Sequence, residues 1–211
     1  MSRLRRIVLI RHGETTGNSS ERLHGSADLA LSPAGRAQMQ CAAESLRTEV
    51  FELVIASPLR RSWEAAQIVA GFAPIRLEHD FREIHFGRWE GLTKSEVEAS
   101  NPILYRDWQT KAAGFEYPGG ELRAEFRARV LRGLERLQAS GADAALAVLH
   151  RGVIRVIGEQ LLGRPLPDAT PGLAEVVGFS RGADGVWIVG RRSSNPDALQ
   201  FPLDAPARAS V

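Results

Sequence analysis

Two histidines and several arginines stand where three short apolar runs of the chain end. Ile7-Val-Leu-Ile10 leads into Arg11-His12-Gly13-Glu14, Leu53-Val-Ile-Ala56 into Ser57-Pro-Leu-Arg60-Arg61, and Ala144-Ala-Leu-Ala-Val-Leu149 into His150-Arg151-Gly152. Each run is short and rich in branched residues, and each is followed by a stretch that reads as helix, the pattern of buried parallel strands in α/β folds. Carboxyl ends of such strands line one edge of the sheet, where ligands bind. Distant segments would therefore deliver both histidines and their arginines to one crevice. Arginine forks match phosphate oxygens with charge-assisted hydrogen bonds. Their charge also disfavours imidazolium, and a neutral imidazole with a free ring nitrogen is a nucleophile. The set suits phosphoryl transfer through a phosphohistidine, in which positioning and stabilisation of oxygen charge do most of the work. Arginine and histidine supply the positive charge, so neither a metal nor a cofactor is called for.

Plainer readings exist for each residue. His12 could be a strand-end histidine bonded to a backbone carbonyl, and His150 and Arg61 could be structural partners of surface acids. His79, Asp80, Glu83 and His85 hold metal-ligand side chains, but their spacing follows no recognised ligand pattern. Cys41 falls inside a helical stretch and reads as a small core residue; Trp89, Tyr105 and Trp108 read equally well as lining or as packing.

The elements that must position these groups follow from periodicity. Helices are predicted over Ser32–Arg47, Leu59–Ala70, Glu121–Ala139 and Gly152–Leu162. Ser32-Pro33 is a start signal, with serine at the cap and proline in the first turn. Leu122, Phe126, Val130, Leu134 and Leu137 recur at steps of three or four, one face of an amphipathic helix. Between about Ile75 and Gly120 the pattern loosens, with short helical pieces near Thr93–Ser100 and Asn101–Thr110 and a turn at Tyr117-Pro-Gly-Gly120. Ala174–Phe179 and Val186–Arg191 flank Gly182-Ala-Asp-Gly185 as an antiparallel pair. The expectation is one α/β domain over residues 1–211. It would be a three-layer α/β/α sandwich with a mostly parallel sheet, a lid-like insertion at about 79–120, and an extended tail at about 193–211.

Composition narrows the partners. The chain has 211 residues, 44% hydrophobic and 25% charged, as soluble globular proteins do. All but two of its 27 basic residues are arginine, scattered among 25 acids for a net charge of +2. With no basic run longer than two residues, nucleic acid and membrane surfaces are not expected partners. One cysteine excludes an intramolecular disulfide and multi-cysteine metal sites. The apolar run near the start is too short for a signal-peptide core, and no stretch of about 18 apolar residues occurs, so the expected location is the cytoplasm. Assembly stays open between a monomer and a homodimer: dimers are common among soluble oligomers, and no apolar stripe marks an interface.

Arg11-His12-Gly13-Glu14-Thr15-Thr16-Gly17-Asn18 resembles the N-terminal signature of the histidine phosphatase superfamily, the phosphoglycerate mutase-like family. Further blocks resemble that family in the same order: Gly25 with Asp28-Leu-Ala-Leu-Ser-Pro-Ala-Gly35; Ser57-Pro-Leu-Arg-Arg61; Arg82-Glu83-Ile84 with Phe86-Gly-Arg-Trp-Glu-Gly91; Gly119-Gly-Glu121; and Val148-Leu-His150-Arg-Gly152. They span roughly residues 7 to 163.

The resemblance implies roles at matching positions. His12 would be the phosphorylated nucleophile, Arg11 and Arg61 the clamp on the transferred group, and His150 a donor to the same oxygens. Glu83 would protonate the leaving oxygen and later activate water. Asn18, His24 and Gly25 match positions that touch phosphate or substrate, and Arg60 should lie outside. Arg151 and Gly152 follow the second histidine; Arg151 departs from the small residue common there, and either its charge beside the phosphate or its backbone N–H alone would matter. Ala65 stands where threonine is frequent, and His85 where aspartate is common. The chain resembles the shorter phosphatase branches of the family, which act on small phosphorylated metabolites. A cofactor-dependent phosphoglycerate mutase and a catalytically silent phosphate-binding domain are the alternatives.

Overall fold

The computed structural model describes residues 3–167 and 170–192, without the side chains of Arg191 and Arg192. The three apolar runs form β1 (Arg6–Arg11), β2 (Leu53–Ala56) and, after a short β3 (Ile75–Leu77), β4 (Ala144–Leu149). They are followed by β5 (Val176–Arg181) and β6 (Trp187–Arg192). The sheet order is β3-β2-β4-β1-β5-β6. Its first four strands are parallel, and β5 and β6 run antiparallel to their neighbours.

Alternation along the buried strands builds two cores. Ile7, Leu9, Ile55, Ala147 and Leu149 face one layer; Val8, Ile10, Val54, Leu146 and Val148 face the other. Helices α1 (Pro33–Ser45) and α2 (Arg60–Ala70) cover the second face with Met39, Ala42, Ala65 and Ala66. Two small helices, α3 (Lys94–Ser100) and α4 (Pro102–Gln109), precede α5 (Arg123–Gln138) and α6 (Arg151–Leu162). The last two close the first face with Phe126, Val130, Leu134, Val153, Ile154 and Ile157. The result is the expected three-layer α/β/α sandwich. Residues 79–120 carry their own apolar cluster, in which fully buried Trp89 meets the rings of Trp108, Phe115 and Tyr117 at centroid distances of 5.6, 5.7 and 5.7 Å. Trp89, Tyr105 and Trp108 therefore pack that segment together.

Local signals act where expected. Ser32 caps α1 by accepting from the Gly35 N–H, with Pro33 in the first turn, and Thr93 and Glu96 form a reciprocal capping box at α3. The expected strand at Ala174 starts two residues later, because Ala174 has a positive φ of 55°. Strand β3 was not expected; at three residues it is too short for a period to show. Cys41 is exposed on α1 rather than buried, since the inward face of that helix is taken by Gly35, Met39 and Ala42. The expected tail at 193–211 lies outside the described residues. Among the described residues no helix is long and apolar enough to cross a membrane.

The start of α1 is pressed against the loop after β1. A Cβ on Gly35 would lie 1.9 Å from the carbonyl oxygen of Glu14 and 2.8 Å from its nitrogen. Both are backbone atoms, with no flexible side chain to yield. Gly35→Ala should therefore cost about 1–3 kcal/mol, the range for overpacking, read as a lower urea midpoint with an unchanged slope. A wild-type midpoint would mean that α1 can slide away from the loop.

Candidate active site

Sheet register brings the two histidines together. Arg11 pairs with Leu149 at the ends of β1 and β4, and the His12 N–H continues the ladder to the Leu149 carbonyl at 3.0 Å. His150 then caps α6, and the two rings sit 5.2 Å apart, centre to centre, inclined by 63°. Arg61 enters from the first turn of α2. That turn is tied to β4 through Ser62, whose hydroxyl donates to the Val148 carbonyl at 2.6 Å and accepts from the Ser57 N–H at 3.0 Å.

Hydrogen bonds decide the tautomer of His12. Its Nδ1 lies 2.8 Å from the Gly13 carbonyl, and Arg61 Nε donates to its Nε2 at 3.2 Å. Arginine carries no acceptor, so Nε2 must hold the lone pair and Nδ1 the proton. The carbonyl bond of the plain reading is present, and it leaves the other nitrogen as a nucleophile. Burial, then Arg61 and Arg11, push the His12 pKa well below the ordinary value. His150 is lowered for the same reasons, burial first and then Arg61, His12 and Arg11. Neither of its ring nitrogens has a hydrogen-bond partner among the described residues, nor has Arg11 Nε.

Arg61 is fully buried. Beyond His12 it donates to the carbonyls of Ala27 at 2.6 Å, Gly25 at 2.7 Å and His24 at 3.3 Å. Arg11 Nη1 donates to the Pro171 carbonyl at 3.3 Å. Burial, followed by the charge of Arg151, lowers its pKa to about 10. Both α2 and α6 begin with arginines and no acid in the first turn, against the usual preference of a helix N-terminus for negative charge. Such an accumulation of positive charge is a site for an anion.

Glu83 is the acid that enters this field. Its carboxylate accepts from the Gly152 N–H at 2.9 Å and from the Ile84 N–H at 3.0 Å. Its charge acts on both Arg11 and Arg61. A Cβ at Gly152 would lie 2.4 Å from Glu83 Oε1, so a side chain there would push that carboxylate from its place. Tyr117 stands nearby, its pKa raised to about 12 by burial and then by the Glu83 charge, so it stays neutral.

The remaining expected residues divide. His24 is half-buried, with Nε2 2.6 Å from the Gly17 carbonyl and a weak pull on His12. Gly25 supplies its carbonyl to Arg61. Arg151 is exposed at the start of α6. Asn18 is exposed in a left-handed conformation, and its amide turns to Glu21 at 3.4 Å rather than to the histidines. Arg60 points outward to Glu64 at 2.7 Å. His85 is exposed, accepting from the Gly87 N–H at 3.3 Å. The candidate metal quartet does not gather: Asp80 faces Arg132 and Arg136, and among the described residues no three metal-ligand side chains converge.

Three residues were missed. Glu90 accepts from the N–H groups of Gly25 at 3.0 Å, Ser26 at 2.9 Å and Phe86 at 3.0 Å, so it builds the loop that feeds carbonyls to Arg61. Glu14 does the same for the loop after β1 through Thr15, Ser19 and Ser20. Both lie inside sequence blocks that were read, which was the available signal. Arg129 lies in none of them; it holds the chain that carries Glu83.

Two buried neutral histidines make stability pH-dependent. In the unfolded chain they protonate near the ordinary value of about 6.5, so the unfolded state binds more protons at mildly acidic pH. Their contribution is complete above that value and is lost as pH falls through it. Two such groups should remove about 2–3 kcal/mol between pH 7.5 and 5.5, at ~1.4 kcal/mol per unit each. The carboxylates held low by their partners, Glu14, Glu64, Glu78 and Asp80, lose their contribution only in more acid solution. Urea midpoints at the two pH values should therefore differ in the wild type and much less in a His12→Asn/His150→Asn variant; equal differences would contradict the neutral pair.

Comparison with known proteins identifies the family. Residues 7–185 match the family model of the histidine phosphatase superfamily, branch 1. A glucosyl-3-phosphoglycerate phosphatase of Mycolicibacterium vanbaalenii is 33% identical over 209 residues, covering 94% of this chain and 90% of the relative. The structure of a mycobacterial glucosyl-3-phosphoglycerate phosphatase with inorganic phosphate superposes with a TM-score of 0.74 at 29% identity, covering 90% of this chain and 98% of that one. An α-ribazole phosphatase from Shigella flexneri gives 0.75 at 25% identity, covering 93% and 99%. With its family model, its relatives and its fold in agreement, the chain belongs to the histidine phosphatase superfamily.

Proposed function

We propose that the protein is a metal-independent cytoplasmic phosphatase that hydrolyses a small phosphomonoester through a phosphohistidine on His12. The observation that carries this reading is the His12 tautomer: Nε2 is an unprotonated nucleophile that accepts from the Arg61 guanidinium and feels the charge of Arg11, beside a second histidine whose ring nitrogens have no hydrogen-bond partner among the described residues.

In the first step His12 Nε2 attacks phosphorus as the ester P–O bond breaks, and protonated Glu83 gives its proton to the leaving oxygen. Arg11, Arg61 and His150 stabilise the charge on the transferred oxygens. In the second step Glu83 takes a proton from water, the water oxygen attacks phosphorus, and the P–N bond breaks. Inorganic phosphate leaves, with His12 neutral and Glu83 protonated again. Binding alone would have no use for Glu83, which favours catalysis over a silent phosphate-binding domain.

Arg151 adds a third guanidinium on the solvent side, with its charge felt at Arg11. That suits an ester carrying a second anionic group near the phosphate, such as the carboxylate of a phosphoglycerate ester, the kind of compound named for the mycobacterial relatives.

A phosphorus NMR time course with chelator tests the reading on 3-phosphoglycerate, glucosyl-3-phosphoglycerate, α-ribazole phosphate and sugar phosphates. Growth of inorganic phosphate is expected; interconversion of phosphoglycerates without release would make the protein a mutase. His12→Ala should abolish both turnover and the acid-labile phosphoenzyme, and near-wild-type activity would refute the nucleophile. Arg151→Ala should raise KM for a phosphoglycerate ester about 10-fold, equivalent to ~1.4 kcal/mol, and leave glycerol 2-phosphate nearly unchanged. Equal effects on both would remove Arg151 from substrate recognition.

A further inference from the structure

Glu83 lies on neither a helix nor a strand. The chain before it forms a single 3-10 turn at His79–Phe81 and then runs extended through Arg82, so among the described residues the carbonyls of Asp80, Arg82 and Glu83 find no regular backbone partner. All three are met by one side chain from α5. Arg129 Nη1 donates to the Asp80 carbonyl at 2.8 Å and to that of Arg82 at 2.5 Å, and Nη2 donates to that of Glu83 at 3.1 Å. Its remaining donors close on Glu121, Nε to Oε1 at 2.6 Å and Nη2 to Oε2 at 2.8 Å.

Those five bonds use all five N–H groups of the guanidinium. The group lies over the Phe126 ring, 4.8 Å from its centre, and only 15% of the Arg129 side chain and 19% of the Glu121 side chain are exposed. Glu121 is fixed in turn by its own N–H, which donates to the His85 carbonyl at 3.0 Å. The main chain on both sides of Glu83 is thus pinned to the Arg129–Glu121 pair, while its carboxylate is pinned to α6 through Gly152.

We propose that Arg129, oriented by Glu121, is a positioning residue for the general acid: it fixes the main chain of Glu83 so that the carboxyl group meets the leaving oxygen. The inference rests on the reading of Glu83 as that acid. The Arg129 charge also helps to keep His150 neutral, so the same guanidinium serves both sides of the pocket. Lysine cannot replace it, because an ammonium is a point donor without the planar fork.

The leaving group provides a readout that general destabilisation would not move. Nitrophenolate departs without a proton, whereas an alkoxide needs one. Arg129→Met should lower kcat/KM, which covers only the steps up to departure of the leaving group, by roughly 10²-fold for glycerol 2-phosphate, the low end of what a general acid contributes, and by no more than about threefold for p-nitrophenyl phosphate. Arg129→Lys should fall between wild type and Arg129→Met, and Glu121→Gln should shift the ratio in the same direction. Glu83→Gln is measured first. If it lowers kcat/KM for both esters alike, Glu83 is not the acid, and the reading of the site fails rather than the inference about Arg129. If Glu83→Gln is selective and the Arg129 variants are not, the positioning role is overturned. Should Arg129→Met fail to fold, the ratio in Arg129→Lys and Glu121→Gln decides on the same criterion.

Discussion

The fold around this site answers one problem, how to keep the Arg61 guanidinium buried without an ion pair. Removing a charge from water is expensive unless its donors are all engaged. A carboxylate in contact would solve that locally, but it would also cancel the positive field that a phosphoryl group needs. The chain instead supplies neutral acceptors, the carbonyls of His24, Gly25 and Ala27 and the Nε2 of His12. Among the described residues carboxylates act on Arg61 from a distance, through Glu83, Glu90 and Asp28. The charge survives, and it falls on His12 and His150, holding both neutral.

The loop at residues 24–27 follows from the same demand. Carbonyls that all point inward leave N–H groups pointing elsewhere, and those must be met as well. Glu90 meets them at Gly25 and Ser26, and through Phe86 it joins that loop to the segment after the proposed acid. Glu14 serves the neighbouring loop in the same way. The acids near the crevice thus divide their work. Glu14 and Glu90 bind backbone N–H groups that build its walls, and Glu83, held at the start of α6, faces the arginines across it.

What the sequence made legible depended on range. Buried strands announce themselves through consecutive branched residues, and a strand end followed by His or Arg is visible within a few positions; β1, β2, β4, His12, Arg61 and His150 were readable for that reason. Strand β3, with only three residues, carries too little pattern. Cys41 was misplaced because α1 has a weakly contrasted face on which alanines line both sides. Glu90 and Arg129 escaped for another reason. The Gly25 and Ser26 N–H groups that Glu90 meets, and the Asp80, Arg82 and Glu83 carbonyls that Arg129 meets, are main-chain atoms 46 to 65 residues away, and a backbone N–H or carbonyl leaves no mark in a residue alphabet. A side chain that reads another side chain can be guessed from chemistry, whereas one that reads backbone appears only when the fold is known.

Rigidity is shared unevenly across the site. His12 and His150 continue paired strands in the middle of the sheet, so their separation is set by the ladder and by two apolar cores. Glu83 has no such scaffold. It must approach the field of Arg11 and Arg61 closely enough to exchange a proton, yet avoid an ion pair with either, because direct pairing would quench both the acid and the clamp. A strand or helix would fix its position only together with its neighbours. An irregular segment held from two sides sets the carboxyl group alone, through the Gly152 N–H in front and the Arg129 fork behind. The absence of a side chain at Gly152 and the planar donors of Arg129 are thus two halves of one constraint.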